Sequence, residues 1–472
     1  MPRYVVTALI VATALFMENL DGTVISTALP AIATDLKEDP IALKLALTSY
    51  LLSLAVFIPA SGWAADRFGA RTILRAAILI FTLGSLLCGL ASTLPEFIGA
   101  RVIQGFGGAM MVPVGRLVLL RSVPRTEMVR ALSYLTVPAL MGPIIGPLVG
   151  GFITTYFHWR WIFWINIPIG IIGIILASLL IENIREKMVW PLDVSGFLLS
   201  GMGLSALIFG FTVMGRNLLP GQSIALLIAF GTAVLILYVF HARRVDYPIL
   251  DLRLLAIPTF RASVAGGFLF RIGIGAIPFL LPLMLQVGFG MSAFHSGTIT
   301  FIAAAGAMAM KTTAAPILHL FGFRRVLVFN AILSAAILAS YGFFRPSTPT
   351  VVIMGLLLIG GFFRSLEFTS VNAIAYADVK DEAMSRATSF ASVMQQLSLS
   401  VGVMLGAGVI EITRQSRGEA SLTLGDFQWA FLIVATVSFS SILVFWRLPK
   451  EAGSELAGRG GRPAVEQATS GQ

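Results

Sequence analysis

Long apolar blocks separated by short charged segments are the feature that most limits what this chain can fold into. They recur between residues 4 and 446 of the 472-residue chain, and most approach or exceed the roughly 20 residues that an α-helix needs to cross a bilayer. Hydrophobic residues make up 57% of the chain and charged residues only 12%, against roughly a quarter charged in a soluble domain. The pattern predicts an all-α polytopic membrane protein.

Fourteen transmembrane helices are predicted from these blocks. They cover residues 4–33, 43–64, 72–92, 95–120, 128–156, 159–182, 192–214, 221–241, 259–288, 292–318, 325–343, 348–375, 384–411 and 427–446. With an inside N-terminus, Lys and Arg on the inner side outnumber those on the outer side by about three to one, and basic residues are retained in the cytoplasm. The bias predicts a multi-pass protein of the cytoplasmic (inner) membrane with both termini cytoplasmic.

A cleaved signal peptide is the alternative for the first block. Arg3, the apolar run Tyr4–Met17 and the triplet Ala31–Ala33 resemble the parts of such a peptide. Glu18 and Asp21 interrupt the run before the triplet. A first membrane helix is therefore favoured.

Several classes of function are disfavoured by composition. The net charge is +10, but the basic residues lie between apolar blocks, so no nucleic-acid partner is expected. The single Cys88 offers neither a disulfide framework nor a cysteine metal site. The scattered histidines match no zinc pattern and no P-loop occurs. We predict no enzymatic activity, no metal and no cofactor.

A short repeat divides the chain. Residues 61–74 read SGWAADRFGARTIL and residues 315–327 read APILHLFGFRRVL, so that Phe-Gly is followed by Arg before the next helix. If predicted helices seven and eight are an insertion, each copy follows the second helix of a group of six, as in transporters with two related halves. The predicted regions are an N-terminal six-helix bundle (1–186), two inserted transmembrane helices with a linker (187–250), a C-terminal six-helix bundle (251–447) and a disordered cytoplasmic tail (448–472).

The loop after predicted helix two carries the densest local motif, formed by Gly62, Asp66, Arg67, Gly69 and Arg71. Glycine permits a tight reversal, a carboxylate can meet the positive end of a helix, and arginine can bind phosphate or carboxylate. A gating role is predicted. A plain cytoplasmic basic loop is the alternative.

Predicted helix five is rich in glycine and proline. Glycine at spacing four lets another helix approach closely, and each proline removes a backbone donor. We predict a hinge or gate surface between the halves, with simple packing as the alternative. The residues are Gly142, Pro143, Gly146, Pro147, Gly150 and Gly151.

The two motifs resemble motif A and the antiporter motif C of the major facilitator superfamily. Leu20–Pro30 resembles the first-helix signature of its fourteen-helix drug:proton antiporters, the EmrB/QacA type, and Arg101–Gly108 resembles their fourth-helix motif B. Gly105–Leu117, Arg271 and Lys311 are similar to the MdtD-like multidrug permeases. The resemblance covers about residues 4–446 and implies the major facilitator fold, proton coupling and drug export.

Two residues depart from the family pattern. Ala70 stands where motif A usually has a basic residue, which leaves Arg71 alone there. Ser26 stands where an asparagine usually follows Asp21. The first departure weakens the inference that this loop has the family's charge network, and the second weakens the inference that the first helix carries the family's site.

Charged residues inside the predicted helices are the strongest candidates for function, because a charge at mid-membrane costs about 2.5–3.5 kcal/mol on insertion scales. Basic residues outnumber acidic ones, which predicts a cavity that accepts anions as readily as cations. Arg364 and Glu367 lie three apart and could instead neutralise each other. The predicted cavity charges are Arg116, Arg271, Lys311, Arg364 and Glu367.

Glu18, Asp21 and Arg101 are predicted to couple transport to protons. Glu18 and Asp21 lie three apart and so share one helix face. Two close carboxylates in a low dielectric do not both stay ionised easily, so the pair favours binding of a proton. Arg101 can pair with a carboxylate, and the family resemblance implies that role. A purely structural ion pair is the alternative.

We therefore predict a secondary active transporter that exports small organic, drug-like amphipathic compounds by proton-coupled alternating access. An exporter of a single physiological metabolite or organic anion is the alternative. The predicted partners are a small-molecule substrate, protons and the lipid bilayer, and an accessory envelope partner stays open. A membrane enzyme or sensor is disfavoured because the chain has no large soluble domain.

Overall fold

A computed structural model of the chain describes residues 3–122, 128–183, 185, 191–213, 220–380, 383–418, 421–454 and 456. The predicted disordered tail lies outside these residues from 457 onward. The helices of the first part are α1 (Arg3–Asp35), α2 (Lys44–Phe68), α3 (Ala70–Leu90), α4 (Leu94–Ser122), α5 (Met128–Tyr156), α6 (Trp161–Trp164), α7 (Asn166–Leu180), α8 (Val194–Val213) and α9 (Gly221–Ala242). Those of the second part are α10 (Pro258–Leu283), α11 (Ala293–Phe321), α12 (Phe323–Tyr341), α13 (Thr350–Ile374), α14 (Met384–Arg417), α15 (Leu424–Phe439) and α16 (Ile442–Phe445).

Every apolar block of the sequence contains a helix. A backbone inside a bilayer has no water to bond with, so an apolar block must satisfy its own peptide groups. Within the described residues, 13 helical segments are long and apolar enough to cross a membrane. Helix α5 is not among them, so a total of fourteen spans stays a prediction. A short π-helix, Met284–Gly288, directly follows α10.

The helices pack as two similar groups. Helix α1 packs on α5, α2 on α4, and α3 on α4 and α7; in the same order, α10 packs on α14, α11 on α13, and α12 on α13 and α15. We call α1–α5 with α7 the N-terminal bundle and α10–α15 the C-terminal bundle. Helices α8 and α9 pack on each other, and α8 also contacts α2. The two bundles meet where α2 packs on α14 and α5 on α11.

Three polar contacts between the bundles lie at the same end of the molecule, which we call the Asp39 end. They are the hydrogen bond from Gln286 Nε2 to Thr27 O (3.0 Å), the hydrogen bond from Phe294 N to Thr155 Oγ1 (2.9 Å), and the ion pair of Arg414 with Asp39. Buried apolar residues of both bundles join one cluster there, including Leu29 of α1 and Phe279 of α10. The bundles are thus in contact at the Asp39 end.

The repeated Phe-Gly sequence builds the same backbone turn in both bundles. Gly69 links α2 to α3 with φ of 95°, and Gly322 links α11 to α12 with φ of 75°. A side chain is strained at such angles, so glycine is required for conformation at both places. At Gly69 a Cβ would also lie 2.2 Å from Asn183 Oδ1. The turn therefore brings the start of α3 against the segment after α7.

Candidate functional site

A buried polar network centred on Asp21 lies inside the N-terminal bundle. Arg101 Nη1 donates to Asp21 Oδ2 at 2.6 Å, and Gln104 Nε2 donates to Asp21 Oδ1 at 2.8 Å. Asn166 Nδ2 donates to the same Oδ1 at 3.1 Å, while Ser85 Oγ accepts from Gln104 and Asn166 at 2.7 and 3.2 Å. Each of the five residues is at most 1% exposed. Four helices therefore converge on one carboxylate.

Helix spacing and small residues explain why these groups meet. Arg101 and Gln104 are three apart on α4 and so share a face. At Gly84 of α3, a Cβ would lie 2.6 Å from Gln104 Cα, and at Gly105 of α4 one would lie 2.8 Å from Tyr50 O. These close approaches bring α3 and α2 onto α4. The Tyr50 ring then lies 4.1 Å from Arg101 Cζ, a cation–π contact.

Gln104, Ser85, Asn166 and Tyr50 belong to this site but were missed by reasoning from the sequence. That reasoning counted charges, whereas these side chains are uncharged. Uncharged polar residues in otherwise apolar blocks were the available signal, because a polar group in hydrocarbon needs a hydrogen-bond partner. Gln104 stood out most, since it follows Arg101 by three positions in the motif B segment.

Glu18 lies beside this network without joining it. It is 9% exposed, and a Cβ at Gly108 would be 3.2 Å from Tyr50 Oη and 3.6 Å from Glu18 Cγ. Within the described residues Glu18 forms no ion pair. The two carboxylates of α1 thus have different surroundings: Asp21 is bound to arginine, whereas Glu18 lies in the crevice formed with Tyr50 and Gly108.

A cavity of about 380 Å³ lies between the two bundles. Its walls come from α1, α5, α10, α11 and α13, and most of the lining is apolar. The polar lining residues are Thr23, Ser26, Thr300, Lys311, Arg364 and Ser365. Two cations thus line the cavity, and no carboxylate does among the residues that form its described wall. Lys311 Nζ donates to Thr369 Oγ1 at 2.9 Å.

Asp21 is connected to this cavity through α1. Thr23 and Ser26 line the cavity, whereas Asp21 is fully buried on another side of the same helix. The ion pair of Asp21 with Arg101 links α1 to α4. The buried Asp21 and two polar residues of the cavity wall therefore belong to a single helix.

Three of the predicted cavity charges, Arg116, Arg271 and Glu367, are not among the residues that line this cavity. Arg271 is 3% exposed and donates through Nη2 to Asn372 Oδ1 at 2.6 Å, while Glu367 is 0% exposed and accepts from Asn330 Nδ2 at 3.0 Å. Arg364 lines the cavity, and within the described residues it makes no ion pair with Glu367. Arg116 is exposed on α4.

The predicted motif A residues lie at the turn between α2 and α3. Arg71 Nη1 donates to Ile181 O at 3.1 Å, just beyond the end of α7. A cation is stabilised near a helix C-terminus, where carbonyl groups lack partners. Arg67 and Gly62 are exposed, and Asp66 is half-buried. Arg71 therefore binds a backbone carbonyl in this conformation, and the gating role stays a prediction.

The glycines of α5 at spacing four face α1. At Gly142, Gly146 and Gly150, a Cβ would lie 2.8 Å from Leu20 N, 2.1 Å from Thr23 Oγ1 and 2.3 Å from Val24 O, respectively. This part of the predicted antiporter motif therefore packs inside the N-terminal bundle. Pro143 and Pro147 line the cavity instead.

Gly151 faces the other bundle. A Cβ there would lie 2.4 Å from Ala293 O of α11, and a Cβ at Gly297 would lie 2.2 Å from Pro147 O. Helices α5 and α11 thus touch through their backbones at the Asp39 end. This contact must separate if that end opens.

We expect Gly151→Ala to favour opening of the Asp39 end. An added methyl in a packed contact costs about 1–3 kcal/mol, and this cost falls only on the closed state. Spin labels at Lys37→Cys and Ser416→Cys, both exposed positions, in a Cys88→Ser background would report the distance between the bundles. The long-distance population should rise about fivefold or more. Gly99→Ala is the control, because a Cβ at Gly99 meets nothing within 4 Å; equal distributions in all three proteins would contradict the prediction.

The described part of the chain has thirteen helical segments long and apolar enough to cross a membrane, two similarly packed bundles and a cavity between them, and together these features define a multi-pass membrane transporter. The chain belongs to the Major Facilitator Superfamily, whose sequence profile matches residues 11–264 and 263–469. It is a transporter and not an enzyme, like its relatives and structural neighbours. Among the described residues, no group of three His, Cys, Asp or Glu could hold a metal ion.

Relatives named for multidrug resistance match nearly the whole chain. MdtD of Shigella boydii serotype 4 is 37% identical over 459 residues, which is 95% of each chain. MdtD of Pectobacterium atrosepticum is 38% identical over 444 residues, 94% of this chain and 95% of the relative. The chain is thus similar to MdtD-like permeases along nearly its whole length.

Solved structures show the same fold at low identity. A D-xylose-proton symporter matches with a TM-score of 0.68 at 15% identity, covering 95% of this chain and 98% of its own. The human organic anion transporter MFSD10 (TETRAN) matches with a TM-score of 0.61 at 12% identity, covering 94% of this chain and 100% of its own. At these identities the likeness concerns the fold alone.

Proposed function

We propose that this transporter exports small organic, drug-like amphipathic compounds in exchange for protons. The observation that carries the proposal is Asp21, a fully buried carboxylate whose counter-ion is Arg101 on a different helix. Ionisable groups inside membrane helices are expensive and mark ion pathways. The multidrug-resistance names of relatives with 37% and 38% identity support the class of cargo.

The proposed cycle uses the contacts of α1. A proton that reaches Asp21 releases Arg101, and α1 then shifts Thr23 and Ser26 in the cavity wall. Glu18, beside Tyr50, is the proposed second carboxyl of the proton path. Cargo leaves from the cavity as the bundles rock, and loss of the proton restores the ion pair.

We propose fourteen spans, with α5 as the fifth, and the orientation that places both termini in the cytoplasm of an inner-membrane protein. The proposed units are the bundles 1–186 and 251–447, with residues 187–250 as the inserted pair and linker. Motif A and α5 are proposed as gates at opposite ends. In this orientation the Asp39 end faces outward, and the contacts there correspond to an inward-facing transporter closed on the outside.

Transport by the purified protein in liposomes tests the proposal. The probes are ethidium, a cationic amphipathic dye, and fluorescein, an anionic one. We expect an imposed proton gradient to drive uptake and a protonophore to abolish it. Uptake of either probe at the same rate with no ion gradient at all would show that transport is not coupled to protons.

An organic anion as cargo is the second candidate, and Lys311 with Arg364 favours it. Both cations line the cavity, and the described wall offers no carboxylate to a cationic cargo. Within the described residues neither cation is paired with a carboxylate. A free guanidinium in an apolar cavity can bind a carboxylate through two parallel hydrogen bonds.

We expect Arg364→Gln to weaken fluorescein transport by about tenfold or more, since a hydrogen bond to a charged group contributes about 1.5–3 kcal/mol. Ethidium transport should be unchanged or faster, because the loss of a positive charge favours a cation. Uptake into liposomes, measured as a function of dye concentration, gives the transport of each dye by the variant and by the wild type. Arg243→Gln, at an exposed position, serves as the control. Equal losses for both dyes would show that Arg364 does not select cargo by charge.

A further inference from the structure

Glu367 is a buried carboxyl that the proposed cycle does not use. It lies on α13 and is 0% exposed. Asn330 of α12 donates through Nδ2 to Glu367 Oε2 at 3.0 Å and to Phe363 O at 2.7 Å. The carboxyl is therefore held between two helices of the C-terminal bundle, away from the Asp21 network.

This site has more acceptors than donors. Glu367 Oε1 and Asn330 Oδ1 are both buried, and neither has a hydrogen-bond partner. An ionised carboxylate only accepts hydrogen bonds, whereas a protonated one also donates. A buried acceptor without a donor is destabilising, because the hydrogen bond that it made to water is not replaced. One proton on Glu367 supplies the donor that the site lacks.

No cation of the described residues lies within ion-pair distance of Glu367. Arg271 of α10 is the cation that faces it, but this guanidinium donates to Asn372 and lies 5.4 Å from the centroid of the Phe368 ring. On α11, Lys311 bonds Thr369, and on α13 itself Arg364 lines the cavity. Helix α12 presents the neutral Asn330. Within the described residues Glu367 has no ion-pair partner within 4 Å, and an unpaired buried charge is strongly unfavourable.

The site touches the cavity through Phe368. This ring lines the cavity and also contacts Arg271. The two bundles use opposite arrangements at matching helices: in the N-terminal bundle the acid is on the first helix and the base on the fourth, whereas here Arg271 is on the first and Glu367 on the fourth. In the N-terminal bundle Arg101 and Asp21 form an ion pair at 2.6 Å. In the C-terminal bundle Arg271 and Glu367 do not form an ion pair.

We propose that Glu367 is a second proton-binding site of the transporter, which holds a proton in this conformation and gives it up when Arg271 moves from Phe368 to the carboxylate. Cargo that displaces Phe368 would drive this exchange. The role of Glu367 in transport rests on the proton coupling proposed above. The presence of a proton on Glu367 in this conformation does not rest on it.

Infrared spectroscopy of the purified full-length protein tests the proposal without any transport measurement. Spectra recorded between about pH 5 and about pH 9 separate protonated carboxyl groups from carboxylates. We expect Glu367→Gln to remove the band of about one protonated carboxyl near neutral pH. The matched control is Glu411→Gln, because Glu411 is also buried in the C-terminal bundle but is paired with Arg414. It should remove carboxylate bands instead.

A second variant covers the case in which Glu367→Gln does not fold. Arg271→Gln keeps the carboxyl and removes its replacement counter-ion, so its protonated band should persist at pH values where the wild type has lost it. A neutral-pH spectrum in which Glu367→Gln removes only carboxylate bands would show that Glu367 is ionised and would overturn the proposal. Loss of the protonated-carboxyl band on Glu367→Gln is also expected in an Asp21→Asn background. This result would support a proton on Glu367 even if transport proves not to be coupled to protons at Asp21.

Discussion

Asp21→Asn is expected to reduce gradient-driven uptake by more than about tenfold, to the level left by a protonophore, because a proton relay in a membrane helix needs an ionisable group. The amide has the size of the carboxyl and can still accept a hydrogen bond from Arg101 or Gln104. It cannot bind and release a proton. The measurement is dye uptake into liposomes with an imposed proton gradient.

Exchange of labelled for unlabelled dye without a gradient separates coupling from binding. This exchange should persist in Asp21→Asn, since the cavity wall is intact. Asp35→Asn is the matched control, because Asp35 also pairs with an arginine, Arg160 at 2.6 Å, but is exposed. It should keep full uptake. Gradient-driven uptake at the wild-type rate in Asp21→Asn would move the coupling site to another carboxyl, with Glu18 and Glu367 the next to test.

Arg101→Ala is expected to have the largest effect on stability. It leaves the Asp21 carboxylate buried without its counter-ion, and removal of one partner of a buried ion pair costs about 3–5 kcal/mol. Gln104 Oε1 also loses the hydrogen bond from Arg101 and keeps only the weaker one from Cys88 Sγ. We expect a strongly lowered unfolding temperature in detergent and a reduced yield of folded protein. Arg160→Ala, at a surface pair, should cost only about 0–1 kcal/mol.

The double variant Asp21→Asn with Arg101→Gln separates folding from function. With both charges removed, no unpaired ion remains in the bundle, so most of the stability should return. Proton-coupled uptake should stay absent. If the double variant is as unstable as Arg101→Ala, the loss arises from the packing of the arginine against Tyr50 and not from the uncompensated charge.

The helices could be predicted from the sequence because an apolar block inside a bilayer must satisfy its own backbone hydrogen bonds, which a helix does within one segment. All the blocks contain helices, yet their ends shifted: α14 extends to Arg417, six residues beyond the predicted block, and α15 ends at Phe439 before a short α16. Polar helix ends extend beyond the hydrocarbon core, where composition no longer constrains them. The internal Phe-Gly repeat was visible for a similar reason, since only glycine adopts the required backbone angles at Gly69 and Gly322.

The candidate site was predictable only in part. Asp21 and Arg101 stand out because a charge in an apolar block is expensive, but their uncharged partners Gln104, Asn166 and Ser85 do not. The spacing of Arg364 and Glu367 allowed mutual neutralisation, yet Arg364 lines the cavity and Glu367 bonds Asn330. Spacing on one helix says which residues share a face, and the neighbouring helices decide what that face meets.

The sequence by itself determined that this chain crosses a membrane many times, that it repeats one turn in two halves and that few charges enter the bilayer. These properties follow from local composition, since hydrocarbon rejects polar groups wherever they occur. Only the tertiary structure decided that Arg101 closes on Asp21 while Arg271 stays apart from Glu367. The acid and the base of each pair are 80 or more positions apart in the chain, and helix packing alone decides whether they meet.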